Sequence, residues 1–188
     1  MKHIVFFGDS LTAGFGLADP NQESFPALIQ NKINAFGYAY QVINAGQSGD
    51  TTSSALNRLH TVIEIPADVF AVALGANDML RGYAADSTAA NLLQIISRLK
   101  TAHPDAKLVL LGMELPAWIT AARANQYRNL FRSLAEEYGM PFLPFLLEGV
   151  AGKREYNLPD GLHPNARGYQ VIAERVWPVI HSLLDEHT

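Results

Sequence analysis

The chain has 188 residues, of which 48% are hydrophobic and 17% charged, and its formal net charge is -4. This composition fits a soluble domain long enough to form a sizeable core, and it argues against intrinsic disorder. The bases are scattered, which argues against nucleic-acid binding. No apolar run approaches the roughly 18 residues of a membrane-spanning helix, which argues against membrane insertion. Cysteine is absent, which excludes disulfides and thiolate chemistry.

Short apolar runs alternate along the chain with longer segments of helical periodicity. Five strands are predicted, at His3–Phe7, Gln41–Asn44, Val69–Leu74, Lys107–Leu111 and Pro141–Leu143. Four amphipathic helices are predicted from apolar faces, formed by Phe25, Leu28, Ile29, Ile33 and Phe36; by Leu92, Ile95, Ile96, Leu99 and Ala102; by Tyr127, Leu130, Phe131, Leu134 and Tyr138; and by Tyr169, Ile172, Val176, Ile180 and Leu183. A shorter helix is predicted over residues 52–62.

This alternation of strands and helices requires crossover connections, which make the sheet parallel and place helices on both of its faces. The fold class predicted is therefore α/β, a three-layer α/β/α sandwich with a five-stranded parallel sheet of flavodoxin-like topology. A single domain is expected over residues 1–188. Ligands of such folds bind beyond the carboxyl ends of the strands, so the loops after the strands are where chemistry is expected.

The loop after the first strand, "GDSLTAG", contains Ser10, and a late loop, "DGLHPN", contains Asp160 and His163. A serine becomes a nucleophile beside a histidine base that a third group orients, and an aspartate three residues before a histidine can reach the same imidazole. Two structural alternatives remain open. Ser10 alone is also a typical helix N-cap, and "DGLHPN" also fits a turn before a helix capped by Asn165.

Two further loops offer hydrogen-bond donors for a negatively charged oxygen. Gly46 in "NAGQSGDTT" lets a backbone N–H approach a ligand closely, and the side-chain amide of Asn77 in "LGAND" lies at the same edge. With the N–H of Ser10 they form a candidate oxyanion hole. An ordinary turn at Gly46 and an Asx turn at Asn77 are the structural alternatives. Ser48 is a weaker candidate nucleophile, because Asp50 stands where the G-x-S-x-G motif requires glycine.

These segments resemble the four sequence blocks of the SGNH hydrolases, also called GDSL esterases and lipases. The blocks are "GDSLTAG" with Ser10, "NAGQSGDTT" with Gly46, "GAND" with Asn77, and "DGLHPN" with Asp160 and His163. They occur in the family's order and span nearly the whole chain. The chain is most similar to the small bacterial branch of thioesterases, lysophospholipases and arylesterases, as "GANDMLRG" and "LHPNARGYQVIAERVWPVI" indicate.

The resemblance implies a serine hydrolase that acts on esters or thioesters. Ser10 attacks the carbonyl carbon, His163 accepts the serine proton and later gives it to the leaving group, and Asp160 orients His163. The N–H groups of Ser10 and Gly46 and the amide of Asn77 hold the oxyanion. Water then cleaves the acyl-enzyme, and neither a metal nor a cofactor is needed.

The loop "MELPAWIT" indicates the substrate class. Leu115, Pro116 and Trp118 are apolar side chains at the active edge, and Met79 and Leu80 follow the third block, so these five residues are predicted to line a groove for a short to medium acyl chain. Trp118 fits equally well as an anchor of its loop to the core.

Two other functions remain alternatives. One is a carbohydrate O-acetyl esterase of the same family, which is expected to have a more polar rim than "MELPAWIT" provides. The other is a flavodoxin-like binding protein without catalysis, which leaves the aspartate and histidine of "DGLHPN" without a purpose. Because the first predicted strand begins by His3, with no room for a signal peptide, the chain as given is expected to be cytoplasmic, or periplasmic or secreted if a signal was removed.

Overall fold

A five-stranded parallel sheet forms the centre of the computed structural model, which describes residues 1–114, 125–127 and 129–184. The strands are β1 (Lys2–Gly8), β2 (Tyr40–Gly46), β3 (Val69–Ala73), β4 (Lys107–Leu111) and β5 (Phe142–Leu143). They lie in the order β2-β1-β3-β4-β5, and every neighbouring pair is parallel. This is the flavodoxin-like order, in which the winding of the chain reverses between β1 and β3. The predicted fold class is confirmed.

Helices cover both faces of the sheet. They are α1 (Ser10–Ala13), α2 (Pro20–Glu23), α3 (Phe25–Ala35), α4 (Thr52–Ile63), α5 (Ala76–Arg81), α6 (Ala85–Ala102), α7 (Leu130–Glu137) and α8 (Ala166–His181), with a 3-10 turn at Arg154–Tyr156. Helix α3 packs against α8, while α4 and α7 pack against α6. Within the described part of the chain, no helix combines the length and the apolar character that crossing a membrane requires.

The central strands are buried along their apolar runs. Ile4 to Phe7 in β1 are fully inaccessible, and every residue of β3 is buried. A parallel sheet covered by helices on both faces needs apolar side chains on both sides of each strand, which explains why these runs are continuous rather than alternating.

The predicted apolar helix faces are buried for the most part. The buried members include Phe25, Ile29 and Ile33 in α3, Leu92, Ile95, Ile96 and Leu99 in α6, and Tyr169, Ile172, Val176 and Ile180 in α8. Phe36 and Ala102 were predicted wrongly, since both are exposed. Helix α3 ends at Ala35, so Phe36 caps the helix and packs its ring at the surface, 5.3 Å from that of Trp177.

The register of the sheet brings three loops to one place. Gly8, the last residue of β1, pairs with Gly46 of β2 on one side and with Ala73 of β3 on the other. The segments that carry Ser10 and Asn77 therefore leave neighbouring strands at the same level. This is the point between β1 and β3 at which folds of this order bind ligands.

Candidate active site

Ser10 is the first residue of α1 and is not its cap. Asp9 is the N-cap, and its Oδ1 accepts the N–H of Leu11 at 3.0 Å. The helix ends one turn later at Gly14, whose φ of +81° and N–H bond to the Ser10 carbonyl close the turn. Because Asp9 supplies the cap, the hydroxyl of Ser10 is available for another partner.

That partner is His163. The two side chains are 3.0 Å apart between Ser10 Oγ and His163 Nε2, and His163 Nδ1 lies 2.7 Å from Asp160 Oδ2. A carboxylate only accepts hydrogen bonds, so Nδ1 carries the proton that it donates to Asp160, and Nε2 is left to accept the Ser10 hydroxyl. The structure thus joins Ser10, His163 and Asp160 in one hydrogen-bonded chain.

The turn that precedes α8 positions the carboxylate. Asp160 Oδ1 accepts the N–H of Leu162 at 2.9 Å and that of His163 at 3.0 Å, and Gly161 between them has a φ of +69°. In the sequence, "DGLHPN" fits either a turn or a carboxylate-histidine pair. In the structure Asp160 forms both, because its Oδ1 holds the turn while its Oδ2 contacts His163. These backbone bonds, together with the His163 side chain, lower the pKa of Asp160 to about 2. Asp160 is therefore ionised at neutral pH.

Asn77 lies in the first turn of α5 and points its amide towards the loop after β2. Its Nδ2 donates to the carbonyl oxygen of Asp50 at 2.8 Å and is 3.5 Å from Asp9 Oδ2. The adjacent Asp78 is buried and accepts the backbone N–H of Thr52 at 2.8 Å, which ties α5 to α4. The amide of Asn77 is thus held between Asp50 and Asp9.

Gly46 was predicted to donate its N–H to the site, and the structure gives it another role. Its N–H donates to Asn44 Oδ1 at 3.0 Å, and the described residues that line the cavity at Ser10 do not include Gly46. A Cβ at this position would lie only 2.3 Å from the backbone nitrogen of Ala13. The absence of a side chain here allows α1 to pack against the end of β2.

A glycine that the sequence analysis did not single out precedes the residue that binds Asn77. Gly49 has a φ of +85° and precedes Asp50, whose carbonyl accepts the Asn77 amide. Among the described residues, its N–H has no acceptor. The signal for it was the turn sequence "GQSGD", in which glycine readily supplies a positive φ.

A cavity of about 260 Å³ opens beside Ser10, Asn77 and His163. Its apolar lining comes from Leu11, Ala76, Met79, Leu80, Met113, Phe145, Leu147, Ala151 and Leu162. Of the residues predicted to bind substrate, Met79 and Leu80 line this cavity, while Leu115, Pro116 and Trp118 lie outside the described residues. The loops after β4 and β5 supply lining residues that were missed, although the strand-end rule points to both loops.

Asp9 is the second carboxylate of the site and differs sharply from Asp160. It is only 2% exposed, and burial raises its pKa to about 6 even though the Leu11 N–H and the nearby His163 act in the opposite direction. No group of three or more metal-ligating side chains is assembled in the part of the chain that the structure describes. The two described carboxylates of the site, Asp9 and Asp160, thus have pKa values shifted in opposite directions.

Comparison with known proteins finds relatives in sequence and in fold. The model of the GDSL-like lipase/acylhydrolase family matches residues 6–171. Esterase TesA of Pseudomonas aeruginosa is 33% identical over 183 residues, which cover 96% of this chain and 89% of that protein. Thioesterase 1/protease 1/lysophospholipase L1 of Escherichia coli is 34% identical over 173 residues, which cover 91% and 79%. The crystal structure of esterase EstA from Pseudoalteromonas sp., inhibited by monoethylphosphonate, has a TM-score of 0.87 at 27% identity and covers 97% and 98%.

Replacing Asp9 by asparagine is expected to stabilise the fold in a pH-dependent way. Asparagine still accepts the Leu11 N–H, and it removes a charge that burial disfavours. Since the pKa of Asp9 rises from 3.8 to about 6 on folding, the wild type loses unfolding free energy as the pH rises through this range. The gain of Asp9→Asn in unfolding free energy should approach roughly 3 kcal/mol above pH 6, fall to about 0.5 kcal/mol at pH 4 and vanish near pH 3. Urea unfolding of the wild type and the variant at pH 4, 6 and 8 measures this gain. A gain that does not depend on pH would contradict the role of the buried Asp9 charge.

Replacing Gly46 by alanine is expected to lower both stability and activity. The added methyl group meets backbone atoms of Thr12 and Ala13, so α1 must move, at a cost of about 2 kcal/mol or more. Gly139→Ala is the matched control, because its methyl group meets none of the described atoms within 4 Å and only its φ of +59° is strained. The control should lower the free energy of unfolding by about 1 kcal/mol and leave ester hydrolysis unchanged. Equal effects of the two variants on hydrolysis would contradict the packing role of Gly46.

Proposed function

The chain belongs to the GDSL-like lipase/acylhydrolase family and is an esterase, and we propose that it hydrolyses carboxylic esters or thioesters of short to medium acyl chains through Ser10, His163 and Asp160. The observation that carries this proposal is the hydrogen-bonded chain from Ser10 Oγ to Asp160 Oδ2 at the mouth of an apolar cavity. The thioester class is supported by the name of the Escherichia coli relative, thioesterase 1/protease 1/lysophospholipase L1.

The reaction begins with the attack of Ser10 Oγ on the carbonyl carbon of the substrate. The hydroxyl proton passes to His163 Nε2, and the imidazolium that forms is stabilised by the ionised Asp160 at 2.7 Å. Collapse of the tetrahedral intermediate breaks the bond to the leaving oxygen or sulfur, which takes the proton from Nε2. Water then attacks the acyl-enzyme, with His163 again as the base, and releases the acid and free Ser10.

The negative charge that develops on the carbonyl oxygen needs donors that are already oriented. The N–H of Ser10 is one, because the first N–H of a helix has no acceptor inside the helix. The amide of Asn77 is the second. Gly49 is a better third donor than Gly46, because the N–H of Gly49 has no acceptor among the described residues while that of Gly46 is bound to Asn44.

The cavity supports an acyl chain as the group that it accepts. Its described walls consist mainly of Leu, Met and Phe side chains, which gain free energy when they exclude water from a hydrocarbon. These mostly apolar walls offer few partners for the hydroxyl groups of an acetylated sugar, so the O-acetyl esterase alternative is disfavoured. The alternative of a binding protein without catalysis is wrong, because the chain is an esterase.

Removing the Ser10 hydroxyl should abolish turnover. In Ser10→Ala, kcat for p-nitrophenyl butyrate is expected to fall by about three orders of magnitude or more, because the acyl-enzyme cannot form. Ser48→Ala is the matched control, since Ser48 is an exposed serine in the neighbouring loop, and it should retain wild-type kcat. Retention of activity by Ser10→Ala would overturn the mechanism.

The chain-length profile tests the acyl cavity. Across p-nitrophenyl acetate, butyrate, octanoate and palmitate, kcat/KM should rise from acetate to a maximum at butyrate or octanoate, because each buried methylene adds about 0.8 kcal/mol until the cavity is full. The longest chain should react more slowly than the optimum. A flat profile, or a maximum at acetate, contradicts the assignment of the cavity to an acyl chain.

A further inference from the structure

The guanidinium group of Arg58 connects three segments at the edge of the site. Arg58 lies on α4, and its guanidinium carbon is 4.7 Å from the centre of the Phe7 ring. Its Nε donates to Asp50 Oδ2 at 2.6 Å, and its Nη2 donates to the carbonyl oxygens of Ala45 at 2.9 Å and Gly8 at 3.2 Å. Since Ala45 and Gly8 lie at the ends of β2 and β1, one side chain ties both strand ends to the loop after β2.

Asp50 is the link between Arg58 and the amide of Asn77. Its carboxylate is 2% exposed and accepts Ser54 Oγ at 2.8 Å as well as the Arg58 bond. Its carbonyl oxygen, at the other end of the same residue, accepts Asn77 Nδ2 at 2.8 Å. A side-chain amide is planar, so holding one N–H of Asn77 also fixes the direction of its other N–H. The other acceptor found for Asn77 Nδ2 among the described residues, Asp9 Oδ2, is 3.5 Å away, at the limit of hydrogen-bond distance.

We propose that Arg58 is a positioning residue for ester hydrolysis. It holds Asp50 in place, and the carbonyl of Asp50 orients the Asn77 amide towards the oxyanion of the transition state. This inference rests on the proposed function, in which Asn77 is an oxyanion donor. Arg58 itself lies behind the loop and does not line the described wall of the cavity.

The chemistry of the contact requires arginine rather than any cation. The three acceptors of Arg58 are a carboxylate and two carbonyl groups on different segments, which the planar fork of a guanidinium reaches from one position. A lysine ammonium pairs with the Asp50 carboxylate but does not reproduce the fork. Without a cation, the carboxylate of Asp50 is a buried charge that has lost its ion pair, and the loop must rearrange to solvate it.

A double-mutant cycle separates this role from a general effect on the fold. If Arg58 acts through Asn77, then replacing Arg58 lowers kcat only while Asn77 is present. A purely structural effect instead lowers kcat both in the wild type and in Asn77→Ala. The cycle consists of the wild type, Arg58→Met, Asn77→Ala and the double variant, with kcat and KM measured on p-nitrophenyl butyrate. Arg98→Met, at an exposed arginine of α6, is the matched control.

The expected results are specific to kcat. Asn77→Ala should lower kcat about 100-fold to 1,000-fold, and Arg58→Met should lower it roughly 10-fold to 100-fold with KM changed by less than about twofold. In the Asn77→Ala background, Arg58→Met should lower kcat by less than about threefold. Arg58→Lys should fall between wild type and Arg58→Met, and the pH profile should stay unchanged because the hydrogen-bonded chain at His163 is untouched.

The outcomes that overturn the inference differ from those that overturn the proposed function. Arg58 does not position Asn77 if Arg58→Met lowers kcat equally in the wild type and in Asn77→Ala. The same conclusion follows if Asn77→Ala lowers kcat while Arg58→Met leaves it unchanged. Wild-type kcat in Asn77→Ala overturns the donor role of Asn77 and, with it, this inference. If Arg58→Met does not fold, then two milder variants complete the same cycle with Asn77→Ala: Arg58→Lys, which keeps the ion pair without the fork, and Asp50→Asn, which keeps the size of the side chain.

Discussion

The direct turn from β1 into α1 is the constraint on which the site depends. It requires two positions without a side chain, because a Cβ on Gly8 would lie 2.0 Å from Thr12 Oγ1 and one on Gly46 would lie 2.3 Å from the Ala13 nitrogen. With these two glycines, α1 lies against the end of β2 and starts within two residues of the last sheet pairing. Ser10 is thereby held at the boundary between β1 and β3, where flavodoxin-like sheets leave a crevice.

Two carboxylates of the site have opposite environments, and this difference separates their roles. Asp160 is exposed and accepts two backbone N–H groups and the His163 ring, so its pKa falls to about 2 and it remains ionised when His163 becomes a cation. Asp9 is buried, its pKa rises to about 6, and it caps the helix that begins at Ser10. Asp160 supports the imidazolium because its Oδ2 lies 2.7 Å from His163 Nδ1, and its hydrogen bonds keep it ionised there.

Sequence reasoning reached the sheet and most of the site because both depend on local patterns. Continuous apolar runs marked the strands, and the three-residue spacing from Asp160 to His163 allowed a bond within one turn. The role of Gly46 was not predictable in this way, because the partner of its N–H is the side chain of Asn44, which offered no distinctive pattern. Arg58 donates to the carbonyl groups of Ala45 and Gly8, which lie 13 and 50 residues away in the chain. Such contacts depend on how α4 packs on the sheet, which a local sequence pattern does not show.

The central claim is that Ser10 carries the covalent acyl group. Its most direct test is reaction with an activated ethylphosphonate ester, which mimics the tetrahedral intermediate, followed by peptide mapping by mass spectrometry. The account predicts one phosphonyl group per chain, on the peptide that contains Ser10, and none in Ser10→Ala. Labelling of another serine, such as Ser48, with Ser10 unmodified would contradict it.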